Sequence, residues 1–187
     1  MKTMNRTEKR KLETREHIKE VAIEMLKQTR STELKMEQVA LEADISRKTI
    51  YNHFSNKENL LSDIINPILS FCIECVKEID EKTEIKISDI TDLCIKIYNM
   101  YGSKLNLMYN IDFKDLHDSY DLHKEYTQLF IGLFKKIDDL SYTKIEYRQA
   151  AFIVFKTFVP LLNTLSNNES KETLFSSAIY GLLKGLE

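Results

Sequence analysis

Glycine, proline and tryptophan are scarce in this chain: its 187 residues hold four Gly, two Pro and no Trp. With so little glycine, and no Asn-Gly or Asp-Gly pair, the tight two-residue hairpin turn has no signal here. There is no phosphate-binding Gly loop, no nucleophile elbow and no His-Glu-x-x-His helix, so the common enzyme signatures are missing. The cysteines are three, Cys72, Cys75 and Cys94, all set in helical patterns. An odd number argues against a disulfide framework and for a reducing cytoplasm. Residues 1–20 are mostly charged or polar and do not resemble a signal peptide, and the longest unbroken apolar run, 150–155, is far too short to cross a bilayer. The expectation is a cytoplasmic, non-enzymatic protein without a cofactor, a metal or a membrane.

What is present is amphipathic helix. Apolar residues recur at helical spacing almost throughout, which predicts an all-α fold. The net charge of −2 conceals a division: residues 1–60 carry 13 Lys and Arg against 10 Asp and Glu, whereas residues 61–187 carry 14 against 19. A basic head on an acidic body fits a nucleic-acid contact confined to one end.

The spacing predicts a first helix over 9–28 with the stripe Ile18, Val21, Ala22, Met25 and Leu26. A short second helix over 36–43 turns Val39, Ala40 and Ala43 inward. Asp44, Ile45 and Ser46 form a tight turn, and Ser46 caps a third helix over 47–54. Ser55 to Glu58 match a capping box that opens a fourth helix, with Pro67 inside it as a kink. Ser88 caps a helix ending near Gly102, while 104–119 reads as a short helix with loops. Later stripes run from Leu122 to Ile137, from a second capping box at Thr143 to about Leu165, and from Leu174 to Leu186.

The helix over 47–54 has the surface a DNA reader needs. Ile50 and Phe54 share one face and can pack inward, while Arg47 with Tyr51, and Lys48 with Asn52, occupy the others. Arg or Lys can bond the O6 and N7 edge of guanine, and Asn can pair with adenine. Thr49, Tyr51 and His53 suit phosphate contacts, and so does Lys57 in the first turn of the next helix. A short basic helix alone reads as a solvated face. A helix, tight turn, capped basic helix and second cap within about 25 residues read as a helix-turn-helix.

The stretch from Val39 to Leu61 resembles the DNA-binding signature of the tetracycline-repressor (TetR) family. The matching elements are Val39-Ala40, Ile45-Ser46, Thr49-Ile50-Tyr51, His53-Phe54, Lys57-Glu58 and Leu60-Leu61. The resemblance implies a three-helix DNA head over 1–56 and a helical effector-binding and dimerising domain over 57–187. It implies a homodimer on a palindromic operator, most often a repressor, with Ser46, Arg47, Lys48, Thr49, Tyr51, Asn52, His53 and Lys57 facing DNA. Two residues depart from the family pattern. Asp44 stands where glycine is usual in the turn, and Asp tolerates left-handed angles better than most residues. Lys35 stands where threonine usually caps the second helix, and its charge can replace a lost phosphate contact.

In the second half, 150–162 is apolar almost all round and must be covered on several sides. The final helix carries a leucine stripe with Gly181 and Gly185, small enough for close approach. The last two helices, about 144–166 and 170–186, are therefore expected to form a homodimer interface, with burial inside the monomer as the alternative. Phe71, Cys75, Tyr98, Tyr101, Met108, Tyr126, Phe130, Phe134 and Phe155 are candidates for lining a pocket for an apolar or flat small-molecule effector. Two other readings stay open: a helical adaptor or co-regulator acting through a protein partner, and a thiol or metal sensor built on Cys72 and Cys75.

Overall fold

The computed structural model describes residues 5–113, 116–137 and 145–184, and among them every regular element is a helix. The fold is all-α. The chain divides into two units, residues 1–67 with 106–120, and residues 68–105 with 121–187.

In the first unit, α1 (Arg6–Leu26) begins at a reciprocal cap outside the predicted 9–28 window. The Asn5 side chain accepts from the Thr7 and Glu8 N–H groups, and the Glu8 carboxylate accepts from the Asn5 N–H. Two of the orphan donors of the first turn are thus satisfied within three residues. Ile18, Ala22 and Leu26 lie wholly buried along one stripe. Next, α2 (Met36–Glu42) buries Met36, Val39 and Ala40 and packs against α1 and α3. Its first residue is preceded by Lys35, which makes no side-chain cap. The turn that follows places Asp44 at φ 51°, in the left-handed region, as the acid in place of glycine implied. Ser46 then caps α3 (Arg47–His53), its Oγ accepting from the Thr49 N–H at 3.0 Å.

The next helix, α4 (Lys57–Asp80), starts one residue later than the Ser55 box implied. Asn56 is the cap, its Oδ1 accepting from the Asn59 N–H at 2.8 Å, and Ser55 instead bonds the Asn59 side chain. By length and composition α4 could also cross a membrane. Leu60, Leu61, Ile64, Ile65, Leu69, Cys72 and Val76 are buried along it, as in the core helix of a folded domain.

A later stretch of chain returns to the first unit. Beyond a 3-10 turn (Gly102–Asn106) and α6 (Leu107–Asn110), residues 106–120 tie themselves to the head by polar bonds. The Ser31 N–H donates to the Asn110 carbonyl and the Asp112 N–H to Ser31 Oγ, each at 2.9 Å; Asn110 Nδ2 donates to the Leu26 carbonyl. Ser119 and Ser62, both buried, bond each other at 3.0 Å. Nothing in the local pattern of 104–119 signals this.

The second unit holds the rest of α4, α5 (Ile87–Tyr101), most of α7 (His117–Lys135), α8 (Tyr147–Thr164) and α9 (Lys171–Lys184). Helix α5 begins before Ser88, the expected cap: the Lys86 N–H is taken by the Asp89 carboxylate at 2.8 Å. It ends at Gly102, whose φ of 53° suits the residue without a side chain. Helices α5, α8 and α9 pack on one another. Their core includes Ile90, Leu93, Ile97, Val154, Phe158, Phe175, Ile179 and Leu183. The Thr143 end of the second capping box, and Gly185 and Leu186 of the last stripe, lie outside the described residues. At the start of α8 the Glu146 N–H donates to the Gln149 side chain at 3.2 Å.

Candidate nucleic-acid interface

Helix α3 is held by one face and open on the rest. Ile50 is wholly buried and Phe54 nearly so, which anchors the helix and its C-terminal end to the first unit. Ser46, Arg47, Lys48, Tyr51 and Asn52 are exposed, and Thr49 and His53 are half-buried. Ser46 and Thr49 join their hydroxyls at 2.8 Å beside the helix start, so both polar groups sit where the free N–H groups of the first turn point. Lys35 is exposed at the start of α2.

Two of the exposed groups of α3 reach across to α2. The Arg47 guanidinium reaches Glu37 of α2 at 2.6 Å, and the Tyr51 hydroxyl donates to the same carboxylate oxygen at 3.2 Å. Lys57 is half-buried, its ammonium donating to the Ser31 carbonyl at 2.9 Å. An ammonium has three donors, so a phosphate would share this group with the loop between α1 and α2.

The C-terminal end of α3 is clasped by a residue no local pattern marks. Arg15 of α1 donates to the His53 carbonyl at 2.6 Å, stacks 4.1 Å over the Phe54 ring and pairs with Asp63 of α4 at 3.0 Å. Lys19 adds a second contact to Asp63 at 3.4 Å. Burial opposes the charge on Asp63, but the Arg15 and Lys19 contacts prevail and hold its carboxyl below the usual range. His53 is shifted in the direction of neutrality, first by burial and then by the positive charges of Arg15 and Lys11. Its Nδ1 is buried without a hydrogen-bond partner. A neutral imidazole is the form that keeps one nitrogen as donor while leaving that atom unprotonated.

The residues named for a small-molecule pocket fall in different places. Met108 belongs to the first unit and the other eight to the second. Tyr126, Phe130 and Phe134 run along α7 with ring centroids 5.8 and 5.3 Å apart, and Phe155 of α8 lies 6.4 Å from Tyr126. Phe71 and Tyr101 form a separate edge-to-face pair at 5.5 Å. The Tyr98 hydroxyl donates to Asn163 at 2.8 Å. The structure thus brings four of the nine together around α7 and α8 and pairs two more.

The three thiols are buried and free. Burial, helped by the neighbouring Cys75, pushes Cys72 up to about 12, and burial likewise raises Cys75 and Cys94. At neutral pH these are protonated, and a protonated buried thiol is a poor nucleophile and a poor ligand. Among the described residues no group of three or more His, Cys, Asp or Glu is placed to hold a metal ion.

Several large apolar side chains of α8 and α9 are left exposed. Phe152, Leu174, Tyr180 and Leu182 are exposed, with Phe152 at 61%. Between the two helices runs an open groove whose lining includes Pro160, Leu161, Ala178, Gly181 and Leu182, with Lys156, Thr157 and Thr164 as its polar members.

Residues 18–64 match the family described as bacterial regulatory proteins, tetR family. No curated protein matches the chain. Among solved structures, it is similar to NalD, the secondary repressor of the MexAB-OprM multidrug efflux pump in Pseudomonas aeruginosa, at 17% identity over 91% of this chain and 93% of that one, with a TM-score of 0.58. It is similar to PfmR, a TetR family transcriptional regulator from Thermus thermophilus, at 14% identity over 91% and 98%, TM-score 0.63. FadR from Bacillus subtilis, a transcriptional regulator solved in complex with stearoyl-CoA, matches at 18% identity over 91% and 98%, TM-score 0.58. At these identities the likeness is one of fold.

Proposed function

Since residues 18–64 belong to the tetR family of bacterial regulatory proteins, we propose that this chain is a ligand-responsive transcriptional repressor that binds a palindromic operator as a homodimer. The observation that carries the reading is the capped helix α3, anchored by Ile50 and Phe54 and presenting Arg47, Lys48, Tyr51 and Asn52 outward. Arg47 and Lys48 read guanine edges and Asn52 adenine; Lys35, Ser46, Thr49, Tyr51, His53 and Lys57 bond phosphates and set register. One short helix covers only a few base pairs, so two copies must reach successive major grooves, about 34–36 Å apart.

The second copy docks on α8 and α9. The exposed Phe152, Leu174 and Leu182 and the groove between the two helices support this reading, because covering exposed apolar side chains removes their area from water. The effector is a small apolar or flat molecule held among the aromatic residues of the second unit. It shifts the population of dimers from one that fits the operator to one that does not. The protein works in the cytoplasm, where its DNA lies.

Selection of bound genomic fragments, followed by titration of the recovered duplex at several salt concentrations, tests the reading. Tight binding that weakens steeply with salt, on an inverted repeat, is the expected result. Binding that is absent without an added protein partner would favour an adaptor.

A further inference from the structure

Glu37 is an odd residue to find beside a surface that meets DNA. It stands in the first turn of α2 with its side chain 43% exposed, so packing does not require it. It reaches across to the recognition helix, where its Oε1 accepts from both Arg47 and Tyr51. The Glu37 carboxyl is held below the usual range, first by its own backbone N–H, with Tyr51 and Arg47 adding to this against the cost of burial. It is therefore anionic at neutral pH. An ion pair this exposed contributes little to stability. Its consequence falls on what Arg47 and Tyr51 can do next.

Resting on the regulator reading above, we propose that Glu37 sets sequence specificity by withholding Arg47 from the phosphates of DNA of arbitrary sequence. A phosphate that takes Arg47 only exchanges one anion for another, and it leaves the Glu37 carboxylate facing a negatively charged backbone. On DNA of arbitrary sequence that exchange gains little. A guanine edge offers two parallel acceptors, and a guanidinium with five donors can serve them while one N–H stays on Glu37. The carboxylate thus weakens arbitrary binding more than operator binding, and the ratio between the two rises.

The test uses wild type, E37Q, R47A and the E37Q/R47A double variant of the full chain, with circular dichroism melts to check folding. The probes are two labelled duplexes of roughly 30 base pairs, one of mixed sequence and one that the wild-type protein recovers from a random pool. E37Q is expected to tighten binding to the mixed-sequence duplex about tenfold at low salt and to steepen its log–log salt slope by about one, as a freed Arg47 neutralises one more phosphate. On the recovered duplex the gain stays below about threefold, and in the R47A background the gain on the mixed-sequence duplex also falls below about threefold. Equal gains on both duplexes, an unchanged salt slope, or a full gain without Arg47 would overturn the proposal. E37A must move in the same direction as E37Q, and the opposite direction would overturn it as well. A wild-type chain that binds neither duplex sinks the regulator reading itself, which separates that failure from this one.

Discussion

A single backbone angle shows how closely residue chemistry and the helix-turn-helix are coupled. Asp44 takes φ 51° within the four-residue turn that joins α2 to α3. A side chain there meets its own carbonyl, at a cost of about 1–2 kcal/mol, which Asp and Asn lessen and Gly avoids. Replacing Asp44 with Gly is expected to raise the melting temperature by a few degrees, and replacing it with Val to lower it by more, both measured by circular dichroism. A Val variant as stable as wild type would show that the turn relaxes into another conformation. The departure was visible in the sequence, since an acid stands where the family places glycine. Glu37 was not visible in that way, because it lies ten positions before Arg47 on a different helix and no single-helix period links them.

At the scale of elements, the helix ends divide: Ser46 caps α3, whereas α5 begins before Ser88, where the Lys86 N–H is taken by Asp89. A serine before a basic helical run is a signal in the sequence itself, whereas the Asn5–Glu8 box lies upstream of the first apolar residue of α1. The Arg15 clasp joins three elements, α1, the end of α3 and α4, and gives the head a pH dependence. His53 holds its proton less tightly in the folded chain than its ordinary 6.5, so the unfolded chain protonates first on acidification. Its contribution is complete above about pH 6.5 and declines as the pH falls below that, until the lower folded value is passed. Asp63 acts later, its contribution being lost only as the pH drops below 3.8. Melts at pH 7 and pH 5 should therefore show a fall in stability that shrinks in H53Q. His123 of the second unit, also shifted down by burial, supplies a fall that remains in that variant. An equal fall in H53Q and wild type would remove His53 from this account.

For the whole molecule, the exposed face of α8 and α9 is where the proposed dimer can be tested. The sequence suggested a helix apolar on several sides, and the chain buries Ala150, Ala151, Val154, Phe158, Val159 and Leu162 while leaving Phe152 out. Gly181 offers a sharp test of the dimer. A Cβ built there meets nothing within 4 Å in its own chain, so an alanine improves helix propensity without an internal clash. Within a monomer G181A should therefore add up to about 1 kcal/mol of stability. If a second copy packs closely at that groove, G181A instead loosens the dimer. L182E is expected to yield monomer by light scattering, with its melt retained and its operator affinity reduced. A dimer unaffected by both substitutions would place the interface elsewhere.

Local chemistry settled what depends on neighbours along the chain: the all-helical class, the turn at Asp44, the cap at Ser46 and the polar outer face of α3. These follow from periodicity and from which side chains satisfy orphan backbone groups within three or four residues. Tertiary structure alone decided which distant groups share an atom: Arg15 on the His53 carbonyl, Lys57 and Asn110 on the loop at Ser31, and Glu37 on Arg47 and Tyr51. Hydrogen bonds and ion pairs act over a few ångströms in space, whatever the separation in sequence, so no reading of one helix at a time could place them.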